Sequence, residues 1–334
     1  MLRHGLLAIC AGALAACSAP PAPAPQPRTL AQPAPQPRVK APRPEPAPER
    51  GTAPPKALPL PPESQELAQY YERVQSGLLA QGLLRRDGGG SDTPYNRRIL
   101  VENFVQIGLF EEYADTGSRL VARATESRLH RFERPVVLDI EFGDSVAPAI
   151  RARDTAAIAS YAQRLARVTR HPIAMAREDG TAGTDGNFTI FILNEAERRA
   201  LGPRLQEMVP GISRSALNEV INLPRSSYCL VFALDPSNTG SYTRAVAVIR
   251  AEHPDLLRLS CIHEEIAQGL GLANDSPTAR PSIFNDDEEF GLLTRHDEQL
   301  LRILYDPRMK LGMSTAQARD MAAVIAADFF DENS

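Results

Sequence analysis

Residues 261–276 read CIHEEIAQGLGLANDS. On a helix of 3.6 residues per turn, Glu264 and Gln268 are four apart and project from one face, with Glu265 one step round and Leu270 and Leu272 filling the packed side. Gly271 supplies a helix-ending glycine, after which the chain turns into Asn274, Asp275 and Ser276. Two acids and an amide therefore converge on one turn.

The flanking sequence alternates elements. Upstream, Pro254 opens this helix at its first turn. Cys229 to Leu234 and Arg244 to Ile249 are strands joined by the turn-rich DPSNTGS, and Phe188 to Leu193 is another strand. Asn194 is placed to cap a helix over Glu195 to Met208. Asp154 to Thr169 predicts a helix with an Asp cap and with Ile158, Tyr161, Leu165 and Val168 on one side. Val136 to Phe142 is a buried strand, Leu120 to Phe132 a hairpin or edge pair, and Val101 to Tyr113 a strand or short helix. Glu63 to Arg86 has helical spacing until Gly88-Gly89-Gly90 breaks it. That triple glycine lacks a following Lys-Ser/Thr, so it is a loop and not a phosphate cradle. The fold class expected from this order is α+β, with a mixed sheet, a central site helix and a helical C-terminal part.

The site helix resembles that of the matrixin branch of the metzincin zinc peptidases, which reads HExxHxLGLxHS. Laid over this chain, the first ligand position falls on Glu264, the base on Glu265, the second ligand on Gln268, the glycine on Gly271 and the third ligand on Asn274 or Asp275. No ligand position is His. Starting one residue earlier gives His263-Glu264 but puts Ala267 at the next ligand position, where it cannot bind metal. The following segment, SIFNDDEEFGLLTRHDEQLLRILYDP, is similar in layout to the matrixin continuation. Phe284 stands in place of the methionine beneath the metal, Leu293, Asp297, Leu300 and Leu301 form the helical stripe, and Leu304-Tyr305 closes it.

The resemblance implies a zincin-like fold whose metal site is degenerate. Oxygen ligands from Glu264, Gln268, Asn274 or Asp275 suit calcium, magnesium or manganese better than zinc. In the active version Glu265 is the general base for a bound water. In the inactive version the same side chains form a hydrogen-bonded cluster around the Gly271 turn. The cofactor is therefore open: none, zinc or an oxygen-preferring divalent metal. A longer stretch, from about Arg131 to Met313 and including NFTIFILN and TRAVAVIRAEHPDLLRLSCIHEEIAQGLGLANDS, resembles a bacterial lipoprotein family known only as a domain of unknown function, number 2927.

Residues 1–17 are a targeting segment. Arg3 and His4 precede an apolar run from Leu6 to Ala16, and Leu14-Ala15-Ala16-Cys17 is a lipobox, so Cys17 is the expected lipidation site. The alternative is an ordinary secretory signal with a chance Cys. Ser18 after the Cys favours the outer membrane of a Gram-negative cell, at its periplasmic face. Residues 18–62 hold 17 of the 29 prolines, so they form an extended tether that cannot build a core. At about 3.1 Å per residue it reaches on the order of 100 Å. Six basic against two acidic residues make the tether basic by four. With Arg3 also set aside, the chain's net charge of −4 leaves the folded part, 63–334 with a helical prefix at about 63–87, near −9.

The acidic folded domain is a poor candidate for nucleic acid, and the basic tether either suits anionic envelope polymers or lipid head groups or carries solvated charge that keeps the linker extended. The acidic run Asp286-Asp287-Glu288-Glu289 is either a cation-attracting lip of the cleft or a solvated loop. His253, His263 and His296 have no metal-ligand spacing and are expected to be hydrogen-bonded or solvent-facing.

Of the four cysteines, Cys10 leaves with the signal and Cys17 carries lipid. Cys229 and Cys261 are then expected to form a disulfide, the alternative being two buried thiols. Three functions follow: a lipid-anchored envelope protein with a peptidase-like cleft that binds a peptide, glycan or protein partner, an active metal-dependent hydrolase using Glu265, or a structural outer-membrane lipoprotein.

Overall fold

The computed structural model describes residues 59–115, 120–176, 186–285 and 287–331. Cys17, the targeting segment and the tether up to residue 58 lie outside the described residues, as does Asp286.

Pro62 starts α1 (Pro62–Ala80), where its missing N–H costs nothing. The helix ends before Arg86, its expected limit, because the chain turns at Gly82 (φ +77°) and the Leu84 and Arg85 N–H groups donate to Glu288 O and Glu289 O. The ambiguous stretch from Val101 resolves into both options. Asn96 accepts the Ile99 N–H at 3.0 Å and caps α2 (Arg97–Gly108), after which β1 (Phe110–Asp115) pairs antiparallel with β2 (Leu120–Glu126). The strand β3 (Val136–Phe142) falls where expected. The next helix, α3 (Pro148–Thr169), begins at a proline six residues ahead of Asp154, so Asp154 is not its cap. The short β4 (Ile173–Met175) escaped the sequence reading, and β5 (Phe188–Leu193) did not.

Asn194 and Glu197 form a reciprocal capping box on α4 (Glu195–Arg199), which stops there rather than running to Met208. Pro203 starts a second helix, α5 (Gly202–Met208), and Ser213 caps a third, α6 (Arg214–Ile221). After β6 (Cys229–Leu234) and β7 (Arg244–Arg250) comes α7 (Asp255–Gly269), with Pro254 as its cap residue rather than inside the first turn. The helices α8 (Arg295–Leu304) and α9 (Thr315–Asp331) complete the domain. Among the described residues no helix is long and apolar enough to cross a membrane.

The larger sheet has the order β4-β3-β5-β7-β6, with β6 alone antiparallel and at one edge, so the domain is α+β with a mixed sheet. Side chains alternate across it. Ile190, Ile192, Ala245, Ala247 and Ile249 face the main core with α2, α3, α7, α8 and α9, while Phe191, Leu193, Val246 and Val248 face a smaller core under α5 and α6. The small Ala245 and Ala247 leave room for α7. Gly269 carries this furthest, since a Cβ there would sit 2.4 Å from the Phe188 ring. The helix bearing the acids is thus pressed against the sheet beside its antiparallel edge strand.

Candidate functional site

The site is built on α7. Arg258 is buried and held by Asp154 at 2.7 Å and by the His253 carbonyl. One turn later Cys261 is joined to Cys229 by a disulfide, which pins the edge strand β6 to the helix. The next turn presents Glu264, Glu265 and Gln268 to a cleft of about 410 Å³. Glu112, Asp275 and Glu288 also line it, and Tyr228, Cys229 and Leu230 form the wall along β6.

The turn after the helix explains how the remaining acids arrive. Gly271 adopts φ +124°, and a Cβ there would lie 2.4 Å from the His130 carbonyl oxygen, so the reversal requires glycine. Asn274 N–H donates to Ile107 O and its amide nitrogen donates to Gln106 O (2.8 Å) and Asp275 O (2.7 Å). That amide locks the turn to the end of α2. Glu112 N–H donates to Ala273 O, which brings the β1 acid to the cleft. Gln268 donates from Nε2 to Asp275 Oδ1 at 3.0 Å.

Downstream, Asp297 accepts from Ser282 Oγ (2.6 Å), the Ile283 N–H (3.1 Å) and the Thr294 N–H (2.9 Å). This fixes the loop that carries Ile283, Asn285 and Glu288 into the cleft wall. Phe284, in the place of the expected methionine, is fully buried.

Electrostatics set this cleft apart. Burial pushes Glu264 well above the ordinary glutamate value of 4.5, and Asp275, Glu265, Glu288 and Glu112 add to it. Burial likewise raises Glu265, reinforced by Glu112 and Asp275. Glu265 is 3% exposed, and its Oε2 has no hydrogen-bond partner. Among the described residues no Lys, Arg or His lines the cleft.

The structure therefore brings Glu264, Glu265, Gln268 and Asp275 together, while Asn274 spends its amide on backbone carbonyls. For the zinc ion that the peptidase resemblance implies, this donor set does not fit. No imidazole reaches it, and among the described residues no three His, Cys, Asp or Glu side chains are arranged to hold one metal ion.

His263 points elsewhere: its ring stacks on Tyr161 at 4.0 Å, Nδ1 accepts the Leu293 N–H, and burial pushes it down to about 3, so it stays neutral. His296 is buried with Nε2 3.0 Å from Asn103 Nδ2. His253 lies in a cage with Tyr71 and Tyr228. Of the acidic run, Glu288 reaches the cleft, whereas Glu289 pairs with Arg85 (2.9 Å) and Arg280.

Glu112 and the Ser226–Leu230 wall escaped the sequence reading. Glu112 sits in FEEYAD, an unremarkable strand 152 positions before Glu264, and only tertiary pairing joins them. A second cavity of about 300 Å³ continues the cleft. It shares Glu112 and Gln268 and is lined by Val231, Phe232, Ala233 and Leu234, so a groove runs the whole length of β6.

With this geometry fixed, comparison with known proteins gives one result. The family model described as Protein of unknown function (DUF2927) matches residues 97–323. The chain belongs to that family. No curated protein and no solved structure matches it. The match contains β6, α7, the Gly271 turn and every acid of the cleft, and it begins after α1.

Proposed function

We propose that this is a lipid-anchored cell-envelope protein with a zincin-like domain whose metal-ligand positions are degenerate. In this reading its cleft binds an extended peptide segment of an envelope partner by strand addition. The observation that carries it is the groove along β6. That strand is the outermost of its sheet, and among the described residues its backbone hydrogen bonds come from β7 and from Thr243, which leads into β7. An exposed edge of this kind offers a row of N–H and C=O groups to an incoming strand. Six residues at about 3.4 Å each give a track of roughly 20 Å, enough for a peptide of about six residues.

The zincin-like part of the reading is supported by the position of the Glu264-Glu265-Gln268 face beside the antiparallel edge strand, by the Gly271 reversal and by buried Phe284. The envelope part rests on the lipobox and the disulfide, because structural disulfides persist in oxidising compartments.

Hydrogen exchange tests the binding mode: a bound extended peptide is expected to protect the amides of residues 228–234, and unchanged exchange there with saturating peptide sinks it. Replacing Cys17 by Ser is expected to abolish incorporation of labelled palmitate and to release the protein from membranes.

The unpartnered Glu265 oxygen favours a second form of the proposal, a metal-dependent hydrolase with Glu265 as base. Mass spectrometry of the incubated peptide separates the two, since cleavage that disappears in Glu265→Gln belongs only to the hydrolase.

A further inference from the structure

Resting on the strand-addition reading, we infer that the groove selects a basic residue, taking the cationic head of one lysine- or arginine-type side chain of the bound segment among Glu112, Glu264, Glu265 and Asp275. Two independent observations point to a ligand. The first is the convergence of acids from β1, α7 and the following loop on one cleft in whose lining, among the described residues, there is no basic residue. The second is Glu265 itself, 3% exposed, with a carboxylate oxygen that no protein group satisfies. A buried carboxylate left in that state is costly. A bound cation that donates hydrogen bonds removes the cost, and such charge-assisted bonds are roughly twice as strong as neutral ones.

The spacing of the acids identifies the kind of cation. Among the described residues no three His, Cys, Asp or Glu side chains are arranged around one point as a metal ion requires. The acids line part of a cleft of about 410 Å³, which has room for an ammonium or a planar guanidinium with several donors pointing in different directions. The apolar stem of such a residue needs apolar walls, and Tyr228, Leu230 and Ile283 provide them on the way down to the acids. The backbone of the same segment lies along β6, so the side chain enters from the strand and not from bulk solvent.

Gln268, which donates to Asp275, keeps one acid oriented toward the ligand.

The test uses the full chain in detergent and acetylated, amidated six-residue peptides of valine and threonine. These carry lysine, norleucine or glutamate at the third position. The lysine peptide is expected to bind at least ten times more tightly than the norleucine peptide at pH 7.5. In the Glu264→Gln/Glu265→Gln variant, checked for an unchanged circular dichroism spectrum, the preference is expected to fall below threefold.

Equal binding of the lysine and norleucine peptides by the wild type overturns the inference and leaves the strand-addition reading standing. Undiminished binding of a backbone N-methylated lysine peptide does the reverse: the cation site stands and strand addition falls. No binding by any peptide overturns both. Calcium, magnesium or zinc chloride binding stoichiometrically, with loss in the double variant and competition by metal against the lysine peptide, overturns the inference in favour of a metal site.

Discussion

Two groups of buried carboxylates lie within one domain and are treated in opposite ways. Around β7 and α4, Glu195 meets Arg198 at 2.6 Å and Arg250 at 2.5 Å, and Asp154 meets Arg258 at 2.7 Å, all almost wholly out of water. Burial alone would raise Glu195, yet the two guanidinium groups bring it below the ordinary glutamate value. Around the cleft, Glu264 and Glu265 meet other acids and are driven upward. Glu252, buried beside Glu195, stands between the two: burial raises it and its Oε2 has no partner, but its other oxygen accepts the Glu195 N–H at 2.6 Å. The cleft differs in gathering acids from three segments with, among the described residues, no Lys, Arg or His in its lining.

The largest effect is expected on the paired side. Arg250 also donates to Leu223 O and Pro224 O, so it anchors the loop leading to the cleft wall. Arg250→Met leaves Glu195 short of a partner, and urea unfolding is expected to show a loss of about 3–5 kcal/mol. A loss under 1 kcal/mol would erase the distinction between the two regions. Next comes the link between strand and helix. Replacing Cys229 and Cys261 together by Ser opens a loop with a sequence separation of 32 and is expected to cost about 3 kcal/mol.

The cleft acids are expected to behave in the opposite sense to Arg250. A carboxyl whose folded-state pKa is raised contributes stability that is fully present below its unfolded value and lost as pH rises through the folded value. The contribution of Glu265 is therefore expected to fall as pH rises above about 4.5, read as the difference between the wild type and Glu265→Gln, because half-buried His171 and buried His253 and His263 act in the opposite sense up to about pH 6.5. Glu265→Gln is expected to flatten that slope and to raise the melting temperature at pH 8 by a few degrees, equivalent to about 1–2 kcal/mol. A lower melting temperature at pH 8 would mean that Glu265 is stabilising and would place it with Glu195. The smallest effect sets the baseline: Arg98→Ala breaks only the exposed pair with Glu102 and is expected to change stability by less than about 0.5 kcal/mol.

Much of this arrangement is legible in the sequence, and the exceptions have physical causes. FTIFIL and RAVAVIR announce buried strands because sheet burial on both faces demands continuous apolar runs. The face shared by Glu264 and Gln268 follows from helical spacing, and the disulfide follows from the two cysteines left after the targeting segment. Two errors share one origin and a third is local. Asp154 looks like a cap because Asp usually is one, but its charge is claimed by Arg258, about a hundred residues away. Helix α1 stops short because residues near Glu288 offer Leu84 and Arg85 better backbone partners. The third error, one helix expected across Glu195 to Met208, broke at Gly202-Pro203. Glu112 is invisible for the same reason as Arg258: nothing local marks a side chain whose neighbours come from distant segments.

Helix α1 carries a mechanical consequence. Tyr71 on it donates its hydroxyl hydrogen to Arg225 O at 2.9 Å, its ring touches that of Tyr228, and Gln75 accepts the Leu257 N–H at the start of α7. Those contacts land on the lip of the groove and on the helix that floors it. Tension on the chain ahead of Pro62 would consequently arrive at the two walls that grip a ligand before it loads the sheet, so an occupied and an empty groove should differ in the force needed to peel α1 away.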